Sequence, residues 1–255
     1  MRKISTLFAV IISFTVITIS NAQTADEIIN NYFETIGGLE KLENIESLKM
    51  TGKITAQGMV IPLETVQTKD GKMYVEIDLQ GSKVKQLVSN GDAVYSMNMM
   101  TQKMEQMPED ASNTMIKEFK DFPNAFINYK EKGYEVELIG KETKEGTECY
   151  KIKLTKDPIT IDGETVPNIT FYYFDTENFV PIMTESEIPT GPAKGQKMEV
   201  PLSDYQEVDG VYFPFTTVMQ GMPMTYTSIE INPEVDASEF SVPKDESAPE
   251  ETDKN

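Results

Sequence analysis

The chain has 255 residues, a formal net charge of −19, no histidine and a single cysteine. This acidity argues against binding to nucleic acid or to anionic membrane surfaces. The single cysteine excludes an intrachain disulfide, and the absence of histidine removes the commonest general base of enzyme sites. Cys149 is therefore interpreted as a structural thiol rather than as a nucleophile.

The first 22 residues have the pattern of a secretory signal peptide. Arg2 and Lys3 precede an apolar run of 13 residues, Leu7 to Ile19, and small residues follow at the two positions that signal peptidase reads. A membrane anchor is the alternative, but the run is shorter than the roughly 20 residues needed to span a bilayer. We therefore predict cleavage after Ala22 and a soluble periplasmic protein. No cysteine stands at the cleavage site, so we do not expect the protein to be a lipoprotein itself.

Two short helices are predicted at the start of the mature chain. Thr24 and Glu27 match a capping box, and apolar residues follow at helical spacing as far as Ile36. Gly37 and Gly38 end this helix, and a second short turn follows over 39–45.

From about residue 48 the apolar period changes to two, which indicates β-strands. The segment 72–80 is the clearest case, with polar residues between Met73, Val75, Ile77 and Leu79. Turn signals such as Asp70-Gly71 and Asp209-Gly210 recur at hairpin spacing to about Ile231. We predict about ten or eleven antiparallel strands, since parallel neighbours would need long crossover connections.

One helical insert interrupts the predicted strands. Residues 108–119 have an acidic first turn and the apolar residues Met115, Ile116 and Phe119. Another turn or two is predicted over 123–129. Residues 244–255 contain no large apolar residue and are predicted to be a disordered acidic tail, which leaves 23–243 as a single domain.

These elements predict a mainly β fold, an incomplete, half-open antiparallel barrel whose N-terminal helix and helical insert act as a lid. Its interior could be a packed core or a cavity, since barrels of this size occur in both forms. The 15 methionines favour a cavity, because the flexible thioether adapts to apolar ligands of varied shape. The expected lining residues are Met73, Val75, Ile77, Leu79, Tyr95, Met97, Met99, Met115, Phe119, Phe171, Tyr173, Met198, Met222 and Met224.

Five segments also carry a family resemblance. They are ADEIINNYFETIGGLEKL (25–42), IESLKMTGK (45–53), YFDTENFVP (173–181), YQEVDGVYFPF (205–215) and FSVP (240–243). In this order and spacing they resemble the outer-membrane lipoprotein-sorting proteins (LolA-like, of the LolA–LolB superfamily), particularly those of Bacteroidetes-type bacteria.

The resemblance implies an unclosed antiparallel barrel with helices over an apolar cavity. It implies a carrier of lipid or lipoprotein acyl chains, with transfer proteins of the inner and outer membranes as partners, and neither enzyme activity nor a cofactor. We expect the protein to be a monomer. The best-known carriers latch the lid with an arginine inside the cavity. Arg2 is the only arginine of this chain, so that role has no counterpart in the mature protein.

Two other functions fit parts of the sequence. Met97, Met99, Met104 and Met107, and later Met219, Met222 and Met224, have spacings at which thioethers can chelate Cu(I), although the histidine that usually accompanies them is missing. Acidic pairs such as Glu109 with Asp110 suggest hydrolysis by two carboxylates, but in so acidic a chain they are more typical of solvated surface. We expect no metal ion, no cofactor and no catalytic residue.

Overall fold

The structure is a computed structural model that describes residues 23–242, apart from 162, 190 and 220. The predicted signal peptide and the predicted C-terminal tail lie outside these residues.

The described residues form thirteen strands, rather than ten or eleven, and three α-helices. The strands are β1 (Ser47–Ala56), β2 (Met59–Thr68), β3 (Lys72–Leu79), β4 (Ser82–Asn90), β5 (Val94–Asn98), β6 (Lys103–Gln106), β7 (Glu135–Lys144), β8 (Thr147–Ile161), β9 (Glu164–Asp175), β10 (Pro181–Glu187), β11 (Lys197–Val208), β12 (Val211–Met219) and β13 (Met222–Ile231). The helices are α1 (Ala25–Thr35), α2 (Leu39–Glu43) and α3 (Glu109–Phe119), and a 3-10 helix, Ala237–Phe240, follows the last strand.

All thirteen strands belong to one antiparallel sheet, in the order β6-β5-β4-β3-β2-β1-β13-β12-β11-β10-β9-β8-β7. The sheet therefore consists of two meanders, β1 to β6 and β7 to β13. They are joined where β1 pairs with β13, the first and last of the described strands, from Leu48 opposite Ile231 to Ile54 opposite Met224. Strands β6 and β7 are the two edges and do not pair with each other, so the sheet is open, as predicted for a half-open barrel.

Helices α1 and α2 form as the sequence predicts. The Thr24 hydroxyl accepts a hydrogen bond from the Glu27 amide at 3.2 Å, and the Glu27 carboxylate accepts one from the Thr24 amide at 2.9 Å, which completes the capping box. Ile28, Ile29 and Phe33 are buried on one side of α1. They pack with residues from both meanders, including Leu48 of β1 and Ile152 of β8.

Helix α3 shows how strongly the sheet curves. It contacts β3 and β5 near one edge of the sheet and β8 near the other edge. Ser112 accepts a hydrogen bond from the amide of Val94 on β5 at 2.8 Å, while the Thr114 hydroxyl donates to the carbonyl of Thr160 on β8 at 3.5 Å. A single helix of 11 residues can reach both only if the edges curl towards each other, so the sheet wraps around its helix-covered side.

The predicted extra helical turns over 123–129 are not α-helical. This segment forms hydrogen-bonded turns, such as Ile127 amide to Asn124 carbonyl at 3.1 Å, that fold back over α1. Phe126 packs edge-on against Tyr32 there, with ring centroids 6.5 Å apart. Among the residues that the structure describes, no helix is long and apolar enough to cross a membrane.

Candidate functional site

The sheet has an inner face, which the helices cover, and an outer face. On β1 to β3 the inner face carries Leu48, Met50, Leu63, Val75 and Ile77, because these alternate positions pair across the strands in register. On β12 and β13 it carries Phe215, Thr217, Tyr226, Met224 and Ile229. Leu48, Phe215 and Ile229 belong to the same buried cluster as α1, which fixes the orientation of this face.

The two ends of the inner face differ in how they are filled. At the lower end, where the β2–β3 and β11–β12 turns lie, α1 and α2 pack on the sheet and bury it. Towards the upper end, where the β1–β2, β3–β4 and β12–β13 turns lie, the inner apolar residues are only half-buried. Leu79 is 45% exposed, Met222 is 38% exposed and Met219 is 48% exposed.

The result is an apolar lane along the inner face, defined by Ile54 and Leu63 on β1 and β2, Val75, Ile77 and Leu79 on β3, and Met222, Met224 and Tyr226 on β13. It starts at the buried core and runs out into solvent at the upper end. Because the sheet curls towards α3, the lane is walled by strands on both sides. Such a half-open apolar surface is typical of sites that bind long apolar ligands.

Helix α3 covers the gap between the two edges of the sheet. Its Met115 and Phe119 are half-buried, and Ile116 is buried. The carbonyl of Phe119 accepts a hydrogen bond at 3.1 Å from the side-chain amide of Gln67, an inner-face residue of β2. The predicted helical insert therefore exists and lies where a lid is expected.

A charged cluster ties the end of α3 to β8. Lys156, on the inner face of β8, contacts the carboxylate of Glu118 and lies 3.0 Å from that of Asp121. Asp121 also receives hydrogen bonds from Lys132 at 3.1 Å and from the Tyr134 hydroxyl at 3.0 Å. Burial and the Asp121 charge raise the pKa of Tyr134, so its phenol stays protonated and continues to donate.

Thr217 and Tyr226 place hydroxyl groups in or beside the apolar lane. The Thr217 hydroxyl is buried on β12, and among the described residues it is the only buried side-chain oxygen or nitrogen without a hydrogen-bond partner. The Tyr226 hydroxyl lies 3.7 Å from the sulfur of Met224, and burial raises its pKa to about 12. An unpaired buried hydroxyl costs about 1–3 kcal/mol, so Thr217 is a candidate anchor for a polar atom of a ligand.

The structure brings many of the predicted lining residues to the inner face of the sheet or to α3. Half-buried or exposed positions on the inner face or on α3 are held by Met73, Val75, Ile77, Leu79, Met115, Phe119, Met198, Met222 and Met224. Their contact with a ligand stays a prediction.

Five predicted lining residues are placed elsewhere. Tyr95 and Met97 of β5 share the face of Val88 and Tyr74, which is the outer face, because Val88 pairs with Tyr95 and with Tyr74. Met99 lies in the β5–β6 turn and is 77% exposed.

Phe171 and Tyr173 of β9 also lie on the outer face. There Tyr173 is buried with Cys149 and Met183, opposite the α1 side of the sheet. Lys144 and Lys151 sit over its ring, 4.6 and 5.1 Å from the centroid. These five residues are corrected to outer-face or turn positions.

The Cu(I) alternative receives no support from the structure. The two methionine groups lie on the β5–β6 and β12–β13 hairpins, with four strands between them. Met97 pairs with Met104 on the outer face, whereas Met224 lies on the inner face. Among the described residues, no group of three or more histidine, cysteine, aspartate and glutamate side chains is placed to hold a metal ion.

Comparison with known proteins adds information on the fold. No protein-family model matches the chain, and no curated protein is similar to it in sequence. A LolA superfamily protein from Nitrosomonas europaea has a similar structure, with 14% identity, a TM-score of 0.52, and coverage of 86% of this chain and 98% of that one.

Two further structures are similar. One is a DUF1329 family protein from Desulfovibrio piger, with 13% identity, a TM-score of 0.51, and coverage of 85% and 97% of the two chains. The other is a putative outer membrane lipoprotein-sorting protein domain from Vibrio parahaemolyticus, with 11% identity, a TM-score of 0.50, and coverage of 84% and 94%. The open sheet, the helices over its inner face and these neighbours together show that the chain has the fold of the LolA-like proteins.

Proposed function

We propose that the protein is a soluble periplasmic carrier that shelters acyl chains of a lipid or a lipoprotein in the apolar lane. The observation that supports this most directly is the exposure of the lane. Its residues alternate strictly along β3 and β13, yet Leu79 and Met222 remain 45% and 38% exposed instead of packing into a core. An apolar row of this kind gains free energy when an acyl chain covers it.

The size of this gain is sufficient for a carrier. Each methylene transferred from water to an apolar surface contributes about 0.8 kcal/mol when it is fully buried. An acyl chain that lies along the lane is covered by the sheet on one side. Even half of the full value, summed over a long chain, supports stable binding.

The same lane supports a carrier better than an enzyme. Its polar groups include the hydroxyls of Thr217 and Tyr226, and burial raises the pKa of Tyr226 to about 12. A phenol with this pKa stays protonated at neutral pH and does not act as a base. We therefore propose a binding role without catalysis or a cofactor.

Traffic of lipoproteins to the outer membrane is the process that the structural neighbours suggest first, since one of them is named as a putative outer membrane lipoprotein-sorting protein domain. In this role the protein would receive its cargo from an inner-membrane partner and deliver it to an outer-membrane partner. The charged cluster of Lys156, Glu118 and Asp121 would hold α3 against the sheet in place of the arginine latch of better-known carriers.

The test is titration of a fluorescent long-chain fatty acid into the mature protein, residues 23–255. We expect saturable binding of one probe per chain. Replacing two lane residues together, Ile77→Ser with Met224→Ser, should weaken binding at least tenfold. The matched control is Met97→Ser, a half-buried methionine of the outer face, which should bind as the unmodified protein does.

Absence of probe binding by the unmodified protein would contradict the proposal, as would equal affinity of the double variant. Circular dichroism of each variant separates loss of binding from loss of folding. Mass spectrometry of lipids and acylated peptides that co-purify with the protein distinguishes a free lipid from a lipoprotein as the cargo.

A further inference from the structure

Exposed apolar side chains concentrate at the upper end of the sheet. Of the ten large apolar side chains that are exposed among the described residues, seven lie at four hairpin turns. They are Met59 and Val60 at β1–β2, Leu79 at β3–β4, Met99 and Met100 at β5–β6, and Met219 and Met222 at β12–β13. Met99 and Met100 are 77% and 93% exposed. We call these four turns the rim.

The rim is one continuous edge of the molecule. In the strand order, its four hairpins are the consecutive pairs β6-β5, β4-β3, β2-β1 and β13-β12. All four turns therefore lie side by side at the same end. With strands about 4.8 Å apart, neighbouring turns are about 10 Å apart and the rim extends over roughly 30 Å.

The rim also differs in charge from the opposite end. No charged residue occurs in segments 54–63, 93–102 and 211–229, which contain three of the four turns, although 25% of the chain is charged. In the fourth turn, Asp78 accepts a hydrogen bond from the Gly81 amide at 2.5 Å. The turns at the lower end, by contrast, carry acidic residues, among them Asp70, Glu145 and Asp209.

Two rim turns are tight and well defined. The β1–β2 turn has two residues, Gln57 and Gly58, with φ of +49° and +79°, and the β3–β4 turn has Gln80 and Gly81, with φ of +58° and +92°. Positive φ at both positions is typical of the hairpin turns whose twist matches the strands. Such turns hold the flanking side chains at fixed positions, so the apolar rim is a built feature of the hairpins.

We propose that the rim docks on the surface of a zwitterionic lipid bilayer, with its apolar side chains inserted among the headgroups. A bilayer fits the observations, because separate exposed apolar side chains at the tips of adjacent hairpins match a fluid surface. The lack of charge in three of the four turns fits neutral headgroups, since apolar side chains enter the interface most easily without charges to desolvate. The flexible methionines suit a surface without fixed shape.

The rim is continuous with the apolar lane, which gives a reason for it to dock on a bilayer. Met59, Leu79, Met219 and Met222 belong to the inner-face rows of their strands, so the apolar lane continues into the rim. A docked molecule would present the open end of the lane to the bilayer, and an acyl chain could pass between them without crossing water. This inference rests on the carrier function proposed above.

Flotation with large unilamellar vesicles of phosphatidylcholine tests the proposal, with the mature protein and two matched triple variants. The rim variant is Val60→Ser, Met99→Ser and Met100→Ser, which leaves the lane residues intact. The control variant is Leu39→Ser, Ile139→Ser and Tyr212→Ser, which removes three exposed apolar side chains elsewhere; they are 38%, 48% and 39% exposed. We expect the protein and the control variant to float, and the rim variant to lose at least tenfold in partition coefficient.

Three results would overturn the proposal: no flotation of the unmodified protein, equal flotation of the rim variant, or flotation only with anionic lipid. If the unmodified protein self-associates and only the rim variant does not, the rim is an interface with a second copy of the chain. This result would also overturn the proposal. The fatty-acid titration is run on the same samples. For the unmodified protein, flotation without probe binding contradicts the carrier function, whereas probe binding without flotation contradicts only the docking surface.

Discussion

Lys156 of β8 and Asp121, just beyond α3, form an ion pair of 3.0 Å between side chains that are 7% and 9% exposed. Since the Asp121 carboxylate also receives hydrogen bonds from Lys132 and Tyr134, the pair is part of a network that fixes the end of the helix. Buried charges of this kind are costly to separate, because the remaining partner keeps its charge without compensation.

We predict that Lys156→Met destabilises the protein by about 2 kcal/mol. Breaking a buried pair costs about 3–5 kcal/mol in general, but Lys132 and Tyr134 remain to compensate Asp121. The measurement is urea unfolding at neutral pH. Lys153→Met is the control, since Lys153 on the same strand is more exposed and lies 3.8 Å from its partner Glu137. Equal stability of both variants would refute a structural role of the network.

The unpaired hydroxyl of Thr217 allows a test in which stability and binding respond differently. We expect Thr217→Val to leave the free protein equally stable or to stabilise it by up to about 1 kcal/mol, because an unsatisfied buried hydroxyl is removed. If the hydroxyl anchors a polar atom of the ligand, affinity for the fatty-acid probe should fall about fivefold to tenfold. Thermal unfolding and probe titration measure the two effects. Unchanged affinity would mean that ligands bind through apolar contact alone.

Gly52 lies in β1 at the point where its pairing with β13 shifts register. A Cβ atom at this position would lie 2.4 Å from the carbonyl oxygen of Thr225 and 2.8 Å from the Cα of Tyr226, both of them backbone atoms. We therefore predict that Gly52→Ala costs about 2 kcal/mol or more, since the two central strands must move apart. Its neighbour Lys53 is exposed, and Lys53→Ala should be nearly neutral. Chemical unfolding of the two variants side by side is the measurement, and equal midpoints would contradict the close approach.

Glu185 on the outer face leads to a prediction about pH. Burial alone would raise the pKa of Glu185, but hydrogen bonds from Lys197 and Tyr173 outweigh it and hold the pKa below its ordinary value of 4.5. A carboxylate whose pKa is lowered on folding stabilises the folded state at pH values above its ordinary pKa. This contribution is lost as the pH falls through the lowered pKa.

Glu185→Gln should therefore reduce stability by about 2 kcal/mol at pH 7, and its difference from the unmodified protein should shrink below about pH 4. Urea unfolding at pH 7 and at pH 3.5 provides the comparison. Glu187→Gln, an exposed position two residues further on the same strand, is the control and should be neutral at both values. A difference that stays constant with pH would contradict the ionic contribution.

The sequence predicted the fold well because its strongest signals were local. The capping box of Thr24 and Glu27 and the alternation along β3 each depend on a few neighbouring residues, and both are found in the structure. The number of strands was underestimated. Gln57-Gly58 and Gln80-Gly81 form tight turns, although glutamine is less typical than asparagine or aspartate at positive φ.

The assignment of residues to faces was less successful, for a physical reason. A period of two shows that Tyr95 and Met97 share a face, but only the register through β4 shows that it is the outer face. A bulge between Val75 and Glu76 in the β3–β4 pairing makes that register impossible to count from the sequence. In β9, residues 171–174 are all aromatic, so alternation gives no indication of either face.

The pairing of β1 with β13 has a consequence for how the molecule folds. Each meander can form from contacts close in the sequence, but the seam between them joins residues that are 170 to 183 positions apart, from Ile54 with Met224 to Leu48 with Ile231. Closing so long a loop is slow, so the seam should be the last part of the sheet to form. Because one half of the seam is β13, the last of the strands among the described residues, the sheet stays in two pieces until the chain is available as far as residue 231. Its central strands, including the lane residues Ile54 and Met224, would be unpaired edges during that time.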